Sequence, residues 1–270
     1  MRFADDHMHT TFSMDGISPM REMVAAAVDQ GLFEICLTEH LETGHPQTDE
    51  PVDFDAYFKE MEACRALYPQ IILHTGIEIG DNPPVRDQIH AILRQYPLDF
   101  HLLSLHLIDG QDPYYPEYYV GKTQEAAYRR YVECKLESAL HFGTFDALAH
   151  LGYCGKFAPY GRAENPLRWR HAPDHLDALL RFLANGGKAL EINTSGYKTT
   201  DFPIPGPDIL RRFAELGGEF VTLGADAHET KYVGYQFERA RCLALSCGLK
   251  WAVTFENHQP IPYSLEEYDA

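Results

Sequence analysis

The sequence lacks the features that would place the chain in a membrane or in an oxidising compartment. No apolar run approaches the roughly 20 residues needed to span a bilayer. The first residues, Met1 to His7, do not have the pattern of a signal peptide. The six cysteines show no Cys-x-x-Cys spacing, and several lie inside apolar runs. We therefore expect reduced, mostly buried thiols in a cytoplasmic protein without a membrane partner.

The sequence also lacks any block of basic residues. Lysine and arginine number 23 against 40 aspartate and glutamate, which gives a formal net charge of −17. Duplex nucleic acid and polyphosphate are held by clusters of positive charge, so we expect no nucleic-acid partner. A chain of 270 residues could form one large domain or two small ones. No linker or low-complexity stretch divides it, and we predict a single domain over residues 1–270.

Three common phosphoryl-transfer signatures are absent. Gly121-Lys122-Thr123 suggests a nucleotide-binding loop, but the earlier glycine that this motif requires is replaced by Pro116. No cysteine has an arginine at the spacing of a thiol phosphatase. Asp53 and Asp55 have the spacing of an aspartyl-phosphate enzyme, yet they lie at a predicted helix start rather than at a strand end.

What the sequence does contain is seven apolar, strand-like runs that each end on a residue able to bind a metal or face a ligand. The runs are Phe3–His9, Ile35–His40, Ile71–Glu78, Leu102–His106, Phe145–His150, Ala189–Asn193 and Val221–His228. A single histidine after a strand means little. Repeated placement at the same end of the same kind of element indicates a built site.

Helical patterns separate these runs, and strand and helix alternate about every 30 to 45 residues. Such alternation predicts parallel strands joined by crossover helices, either as a barrel or as an open sheet. With seven or eight units a barrel is favoured, and in a barrel function collects at the carboxyl ends of the strands. The predicted helices follow Ser18-Pro19 up to Gly31 and cover Phe54–Leu67, Val85–Tyr96, Gln124–His141, His175–Ala184, Pro207–Leu216 and Phe237–Cys247. A further strand is predicted at Trp251–Phe255, and the irregular segment Asp109–Thr123 could cover the mouth of the barrel.

Spacing within the runs suggests how the candidate ligands act. His7 and His9 are two apart on a strand and point the same way, as do Asp226 and His228. Glu78 could bridge two ions through its two oxygens. Imidazole and carboxylate donors suit Zn, Mn or Fe(II). Single histidines (His40, His106, His150) end three other runs. Each of these residues alone could be structural, and only their joint placement predicts a shared multinuclear site. The other eight histidines (His45, His74, His90, His101, His141, His171, His175, His258) lack this placement and are interpreted as structural or surface groups.

The motifs resemble those of the polymerase and histidinol phosphatase (PHP) superfamily over nearly the whole chain. The matching motifs are His7-x-His9, Glu39-His40, His106 and Asp226-x-His228, in that order. The similarity extends to the monofunctional histidinol-phosphate phosphatases of bacteria through HTTFSMD at 9–15, GIEIG at 76–80, KTQEA at 122–126, YCGKFAPY at 153–160 and LEINT at 190–194. The resemblance implies an α/β fold in the form of a distorted seven-stranded barrel that holds three metals.

The resemblance also implies a distribution of ligands over three divalent ions. The first ion would be held by His7, His9, Glu78 and Asp226, the second by Glu78, His106 and His150, and the third by Asp15, His40 and His228. Asp15 departs from the many relatives that have histidine there, which could alter metal preference. Lys156 stands where close relatives are expected to have arginine, and lysine lacks the two-pronged geometry of arginine.

Fewer residues are predicted to act on the substrate itself. Lys156, Lys198 and Arg162 are the candidates for substrate binding, and Glu39 and Lys156 are candidates for catalytic proton transfer. An alternative for Glu39 is that it orients a histidine ligand.

The resulting hypothesis is a phosphomonoesterase that hydrolyses L-histidinol phosphate in histidine biosynthesis. A hydroxide that bridges two metals would attack the phosphorus of this small-molecule substrate. Two alternatives stay open: a PHP phosphoesterase acting on another phosphorylated metabolite or a nucleotide or nucleic-acid end, and a metal-binding regulatory module without catalysis. The sequence does not indicate the oligomeric state.

Overall fold

A computed structural model describes residues 3–266, in which strands and helices alternate along the chain. The strands are β1 (Ala4–Asp5), β2 (Glu34–Leu41), β3 (Ile72–Gly80), β4 (Phe100–Ser104), β5 (Ala147–Leu148), β6 (Ala189–Asn193), β7 (Phe220–Gly224), β8 (Trp251–Glu256) and β9 (Gln259–Ser264). The helices are α1 (Met20–Asp29), α2 (Phe54–Leu67), α3 (Arg86–Leu93), α4 (Gln124–His141), α5 (Pro173–Asn185), α6 (Gly196–Thr199), α7 (Pro207–Glu215) and α8 (Phe237–Ser246). The predicted domain also includes Met1, Arg2 and residues 267–270, which lie outside the described residues.

The strands form one sheet in which neighbours in the sequence are neighbours in space, from β1 to β9. Every pairing from β1 to β8 is parallel, which confirms the predicted α/β class. Within residues 3–266 the sheet has nine strands, not the predicted seven. The ninth was missed because Pro260 and Pro262 argue against a strand. Both prolines are tolerated because β9 is the last strand and pairs only with β8, in an antiparallel manner.

Backbone hydrogen bonds also join the segments that follow β1 and β7. Asp6 N donates to Leu223 O at 2.8 Å, and Asp226 N donates to His7 O at 2.8 Å. Met8 and Ala227 form an isolated parallel bridge. The first and seventh strands therefore end side by side, although five strands lie between them along the chain.

Local sequence signals explain where the helices begin and end. Asp53 and Thr123 cap α2 and α4 by accepting hydrogen bonds from the backbone N–H three residues onward, so both helices begin where predicted. The predicted helix Val85–Tyr96 is shorter in the structure, Arg86–Leu93. Pro97 disfavours helical geometry at the residue before it, which accounts for an end before Tyr96. Within the described residues, every helix is too short or too polar to span a lipid bilayer.

The helices bury apolar faces against the sheet. On α5, the residues Leu176, Leu179, Leu180 and Leu183 recur at helical spacing and have no exposed surface. Each such leucine contributes roughly 1.5–3 kcal/mol through burial. This packing fixes the strands, and hence the positions of their carboxyl ends.

Two of the predicted strand runs are mostly non-strand in the structure. The runs Phe3–His9 and Phe145–His150 keep regular pairing only at Ala4–Asp5 and Ala147–Leu148. Beyond these strands the backbone turns, and His150 (φ 23°) and Asp226 (φ 51°) adopt the left-handed region that side chains other than glycine rarely occupy. Such strain at two strand ends is typical of functional sites.

The first prediction concerns a histidine that lies near the start of β3. Imidazole nitrogens of His74 lie 3.1 Å from Glu34 Oε1 and 3.5 Å from Asp99 Oδ2. Burial alone would lower the pKa of His74, but Asp99 and Glu34 raise it to about 9. Because the folded-state pKa exceeds the unfolded value, the ion pairs stabilise the protein fully below pH 6.5 and lose this effect as the pH rises through about 9.

We expect His74→Gln to reduce the free energy of unfolding by about 1–2 kcal/mol at pH 6, after solvent screening is allowed for. The difference from wild type should shrink between pH 6.5 and 9, as measured by urea unfolding at several pH values. A difference that does not change with pH would contradict this role.

Candidate metal centre and pocket

A pocket of about 390 Å³ opens at the carboxyl ends of the strands. Strand-end residues form its floor, and side chains from the irregular segment 109–123 form part of its wall, as predicted. The acidic residues that line it are Asp15, Glu42, Glu78, Asp112 and Asp226. Lys156 is the one lysine or arginine among its lining residues in the described part of the chain. Its side chains alone therefore make the pocket strongly acidic.

Glu78 lies at the centre of this site and is almost completely buried. Five histidine side chains from four segments approach its two carboxylate oxygens, and two of them, His7 and His9, follow β1. The distances to Oε2 are 3.3 Å from His7 Nε2, 3.5 Å from His9 Nε2 and 2.9 Å from His40 Nδ1; those to Oε1 are 2.7 Å from His150 Nε2 and 3.4 Å from His106 Nε2. Burial would raise the pKa of Glu78, but His7, His40 and His106 hold it well below its usual value.

Several of these polar atoms have no hydrogen-bond partner despite being buried. They are Glu78 Oε2, His40 Nδ1 and His150 Nδ1. Buried polar atoms are normally paired, so these three atoms are candidates for binding a ligand. Sets of three donors lie within 4.8 Å of one another, including His7 with His9 and Glu78, and Glu78 with His106 and His150. The donor set therefore fits divalent metal ions held by nitrogen and oxygen.

Asp226 completes the group around His7 and His9. Its Oδ1 lies 3.9 Å from His7 Nε2 and 3.7 Å from His9 Nε2, and the two histidine Nε2 atoms are 3.0 Å apart. Asp226 Oδ2 accepts hydrogen bonds from Lys156 Nζ at 2.8 Å and Ser195 Oγ at 3.0 Å. Burial would raise the pKa of Asp226, but Lys156 and His7 keep it well below its usual value. The carboxylate is thus ionised and oriented by residues from three segments.

Asp15 brings together the remaining predicted ligands. Its Oδ1 lies 3.5 Å from His40 Nε2, and its Oδ2 lies 3.1 Å from His228 Nε2. The ring of His9 stacks between His40 and His228, with centroid distances of 4.1 and 4.3 Å. All nine predicted metal ligands therefore lie in one continuous cluster.

The protonation of the histidines depends on their neighbours. Burial, together with His40 and His228, lowers the pKa of His9 well below its usual value, so its ring is neutral and able to donate a lone pair. Burial would also lower the pKa of His106, but Glu42 and Glu78 raise it to about 10. A metal ion at His106 would have to displace this proton, which makes binding dependent on pH.

Sequence reasoning missed two acidic residues at the site. Glu42 Oε1 lies 2.7 Å from His106 Nδ1 and forms a further donor group with His40 and His106. Glu42 directly follows β2, and its spacing of two from His40 is the sequence signal that could have indicated a side chain on the same side. Glu191 Oε1 lies 2.5 Å from His7 Nδ1, and its Oε2 accepts a hydrogen bond from His150 N.

The predicted catalytic residue Glu39 does not line the pocket. It points to the other face of β2 from His40 and accepts hydrogen bonds from Thr10 and from Ser13 Oγ. Ser13 Oγ in turn accepts from His40 N at 3.0 Å and lies 3.3 Å from His9 Nδ1. This geometry suits the alternative interpretation, in which Glu39 orients histidine ligands.

Two of the three predicted substrate-binding residues also lie outside the pocket lining. Lys198 Nζ lies 3.6 Å from the centre of the Tyr232 ring, and burial lowers its pKa to about 8. Arg162 is exposed and pairs with Asp201 at 3.1 Å. Lys156 lines the pocket, so its positive charge is available to an anionic ligand.

Comparison with known proteins identifies the class to which this fold and site belong. A family model described as the PHP domain matches residues 5–195. The chain therefore belongs to the PHP domain family, which confirms the resemblance seen in its motifs.

The similar proteins are named as histidinol-phosphatases. Histidinol-phosphatase of Lactococcus lactis is 32% identical over 260 residues, covering 94% of this chain and 95% of that protein. A protein of Clostridium acetobutylicum named probable histidinol-phosphatase is also 32% identical, over 91% of this chain and 94% of its own length. A crystal structure of histidinol phosphate phosphatase from Lactococcus lactis, complexed with zinc, L-histidinol and phosphate, superposes with a TM-score of 0.87. It is 30% identical and covers 96% of this chain and 99% of its own.

Close packing around Gly224 generates a prediction about the metal centre. A Cβ atom on Gly224 would lie 2.3 Å from Glu191 Oε1 and 2.6 Å from His7 Cβ. We expect Gly224→Ala to displace both side chains and to lower metal content at least severalfold, measured by elemental analysis after dialysis. The matched control is Gly206→Ala, where the nearest atom lies 3.5 Å away. Normal metal content in Gly224→Ala would show that this contact does not determine the site.

Proposed function

We propose that the protein is a metal-dependent phosphomonoesterase that hydrolyses L-histidinol phosphate to L-histidinol and phosphate, a reaction of histidine biosynthesis. The observation that carries this proposal is the charge of the pocket. Five carboxylates and one lysine would repel a phosphate ester unless several cations neutralise them. The nine clustered donors supply places for such cations. The names of the similar proteins described above indicate the substrate.

In this proposal three divalent ions, Zn, Mn or Fe, occupy the centre of a distorted barrel made by the first seven strands. His7, His9, Glu78 and Asp226 hold one ion, Glu78, His106 and His150 a second, and Asp15, His40 and His228 a third. Divalent ions of this kind supply Lewis acidity and lower the pKa of coordinated water. The distances around Glu78 support its role as the residue shared by two ions.

The side chains of this chain have three tasks in the proposed reaction. Glu78 and Asp226 would supply carboxylate oxygens to the ions and balance part of their charge. Lys156, whose Nζ lies 2.8 Å from Asp226 Oδ2, provides a positive charge to a phosphate oxygen. Glu191 orients His7 by direct contact. Glu39 orients His9 through Ser13, whose hydroxyl contacts both residues. Burial of these groups strengthens their electrostatic effect on the substrate.

The reaction is tested by phosphate release from L-histidinol phosphate with purified, metal-loaded protein. We expect His9→Ala to lower kcat/KM at least about a hundredfold, because His9 lies in two of the donor groups. His141→Ala, at the exposed end of α4, is the control and should retain full activity. Turnover of L-histidinol phosphate no faster than that of a generic aryl phosphate would contradict the proposed substrate.

A separate prediction concerns the phosphate-binding lysine. Lys156→Ala should raise KM for the phosphate ester about tenfold, because one charge-assisted hydrogen bond to the ester is lost. Lys156→Arg retains the charge and should keep most of the activity. Steady-state kinetics of both variants provide the measurement. Equal losses in the two variants would contradict the role assigned to the positive charge.

A further inference from the structure

Two acidic residues of the pocket, Glu42 and Asp112, are not among the metal ligands proposed above, and Glu42 contacts the candidate ligand His106. Asp112 belongs to the irregular segment 109–123, and its side chain is only 9% exposed. Its Oδ1 accepts hydrogen bonds from Tyr114 N at 2.8 Å and Tyr153 OH at 3.2 Å. Burial and the Asp112 carboxylate raise the pKa of Tyr153 well above its usual value, so its hydroxyl remains a donor. Asp112 Oδ1 is thus held in place by two hydrogen bonds, whereas Oδ2 accepts neither of them.

The second oxygen, Oδ2, faces the Nε2 atom of a buried histidine, His45, and this nitrogen has no hydrogen-bond partner. His45 is 3% exposed, and its Nε2 lies 3.5 Å from Asp112 Oδ2 without forming a hydrogen bond. His45 Nδ1 accepts a hydrogen bond from Gln47 N at 3.3 Å, which assigns the proton of the neutral ring to Nε2. His45 therefore directs a polar group towards Asp112. At 3.5 Å it does not satisfy Asp112 Oδ2 with a hydrogen bond.

Aromatic side chains surround this carboxylate in the pocket. The rings of Tyr114 and Phe157 have centroids 4.5 Å apart, and those of Tyr153 and Phe157 are 6.1 Å apart. Aromatic faces carry partial negative charge and attract cations. The ring of Tyr153 also lies 4.9 Å from that of His106. A single tyrosine therefore spans the distance from a candidate metal ligand to Asp112.

We propose that Asp112 binds a protonated nitrogen of the phosphate ester and thereby selects cationic substrates. The inference rests on the proposed function, because it assumes that the phosphate lies at the metal centre. L-histidinol phosphate offers two such nitrogens, in its ammonium group and in its imidazole ring. Asp112 Oδ1 accepts hydrogen bonds, whereas Oδ2 has none and lies 3.5 Å from His45 Nε2. Such a carboxylate, in a pocket also lined by aromatic rings, can bind an ammonium group or a protonated imidazole.

The decisive variant is Asp112→Asn, which retains the shape and the acceptor for Tyr114 N but removes the charge. Four esters separate the contributions: L-histidinol phosphate, phosphoethanolamine with an ammonium group only, imidazolylpropyl phosphate with an imidazole only, and β-glycerophosphate with neither. We expect kcat/KM to fall roughly 10- to 100-fold for L-histidinol phosphate and for at least one of the two single-nitrogen esters. The rate for β-glycerophosphate should stay unchanged. The ester that loses rate identifies the nitrogen that Asp112 binds.

The matched control is Asp109→Asn, which removes the same charge from the same segment. Asp109 is exposed and pairs with Arg130 at 2.7 Å, so all four rates should be unaffected. Tyr153→Phe provides a second variant, since it removes the hydroxyl that orients Asp112 and should reduce selectivity severalfold. A melting temperature close to that of wild type shows that each variant is folded.

Binding of L-histidinol by titration calorimetry tests the inference without catalysis. Binding should be at least tenfold weaker in Asp112→Asn and unchanged in Asp109→Asn. If the wild type releases no phosphate from L-histidinol phosphate, the proposed function fails while this measurement still tests Asp112. Equal rate losses for all four esters, or unchanged binding of L-histidinol, would overturn the inference.

Discussion

The site depends on one buried carboxylate, Glu78, on which histidines from several strands converge. A carboxylate with almost no exposed surface would ordinarily take up a proton, because burial disfavours its charged form. Here His7, His40 and His106 oppose that effect and keep its pKa well below the usual value. The charge can persist only while the strand ends stay together. The packing of the helices against the sheet is therefore what maintains the electrostatics of the centre.

Carboxylates outside the pocket connect the strand ends to one another. Glu191 on β6 contacts His7 after β1 and the backbone of His150 after β5. Glu39 on β2 holds residues 10–13 after β1, and Ser13 contacts His9. Partners of this kind fix the ring orientation of a ligand histidine and raise its basicity. Each candidate ligand that follows β1 is thus held by a carboxylate from a second strand, which fixes its position in the cluster.

Periodic elements of the fold could be predicted from the sequence, and irregular ones could not. The helices α2 and α4 have the predicted bounds because capping residues and apolar spacing agree at both sites. The cluster of candidate ligands at the strand ends could also be predicted, since a repeated position is a strong signal. Glu42 could not be predicted in this way, because it lies just after β2 and beyond His40, the last residue of the predicted strand-like run.

The contributions of Asp112 and His45 had no signal of this kind. Both belong to irregular segments, and their meeting at 3.5 Å depends on how segment 109–123 folds over the strand ends. No periodicity encodes that path. An isolated histidine is more often structural than functional, and the sequence analysis interprets His45 as structural. The structure places His45 in the lining of the pocket.

The acidity of the whole chain is compatible with the binding of a phosphate ester, because surface charges and buried charges act on a ligand over different distances. Surface charges that contribute to the net charge of −17 are screened beyond roughly 8 Å at physiological ionic strength. Buried groups at the centre interact in a medium of lower dielectric, where nearby cations dominate. The same reasoning separates the two parts of the pocket. Metal ions and Lys156 would favour the phosphate at the strand ends, whereas the Asp112 carboxylate lies in the part of the pocket proposed for a cationic group of the substrate. A substrate with charges of both signs fits this distribution better than a simple anion does.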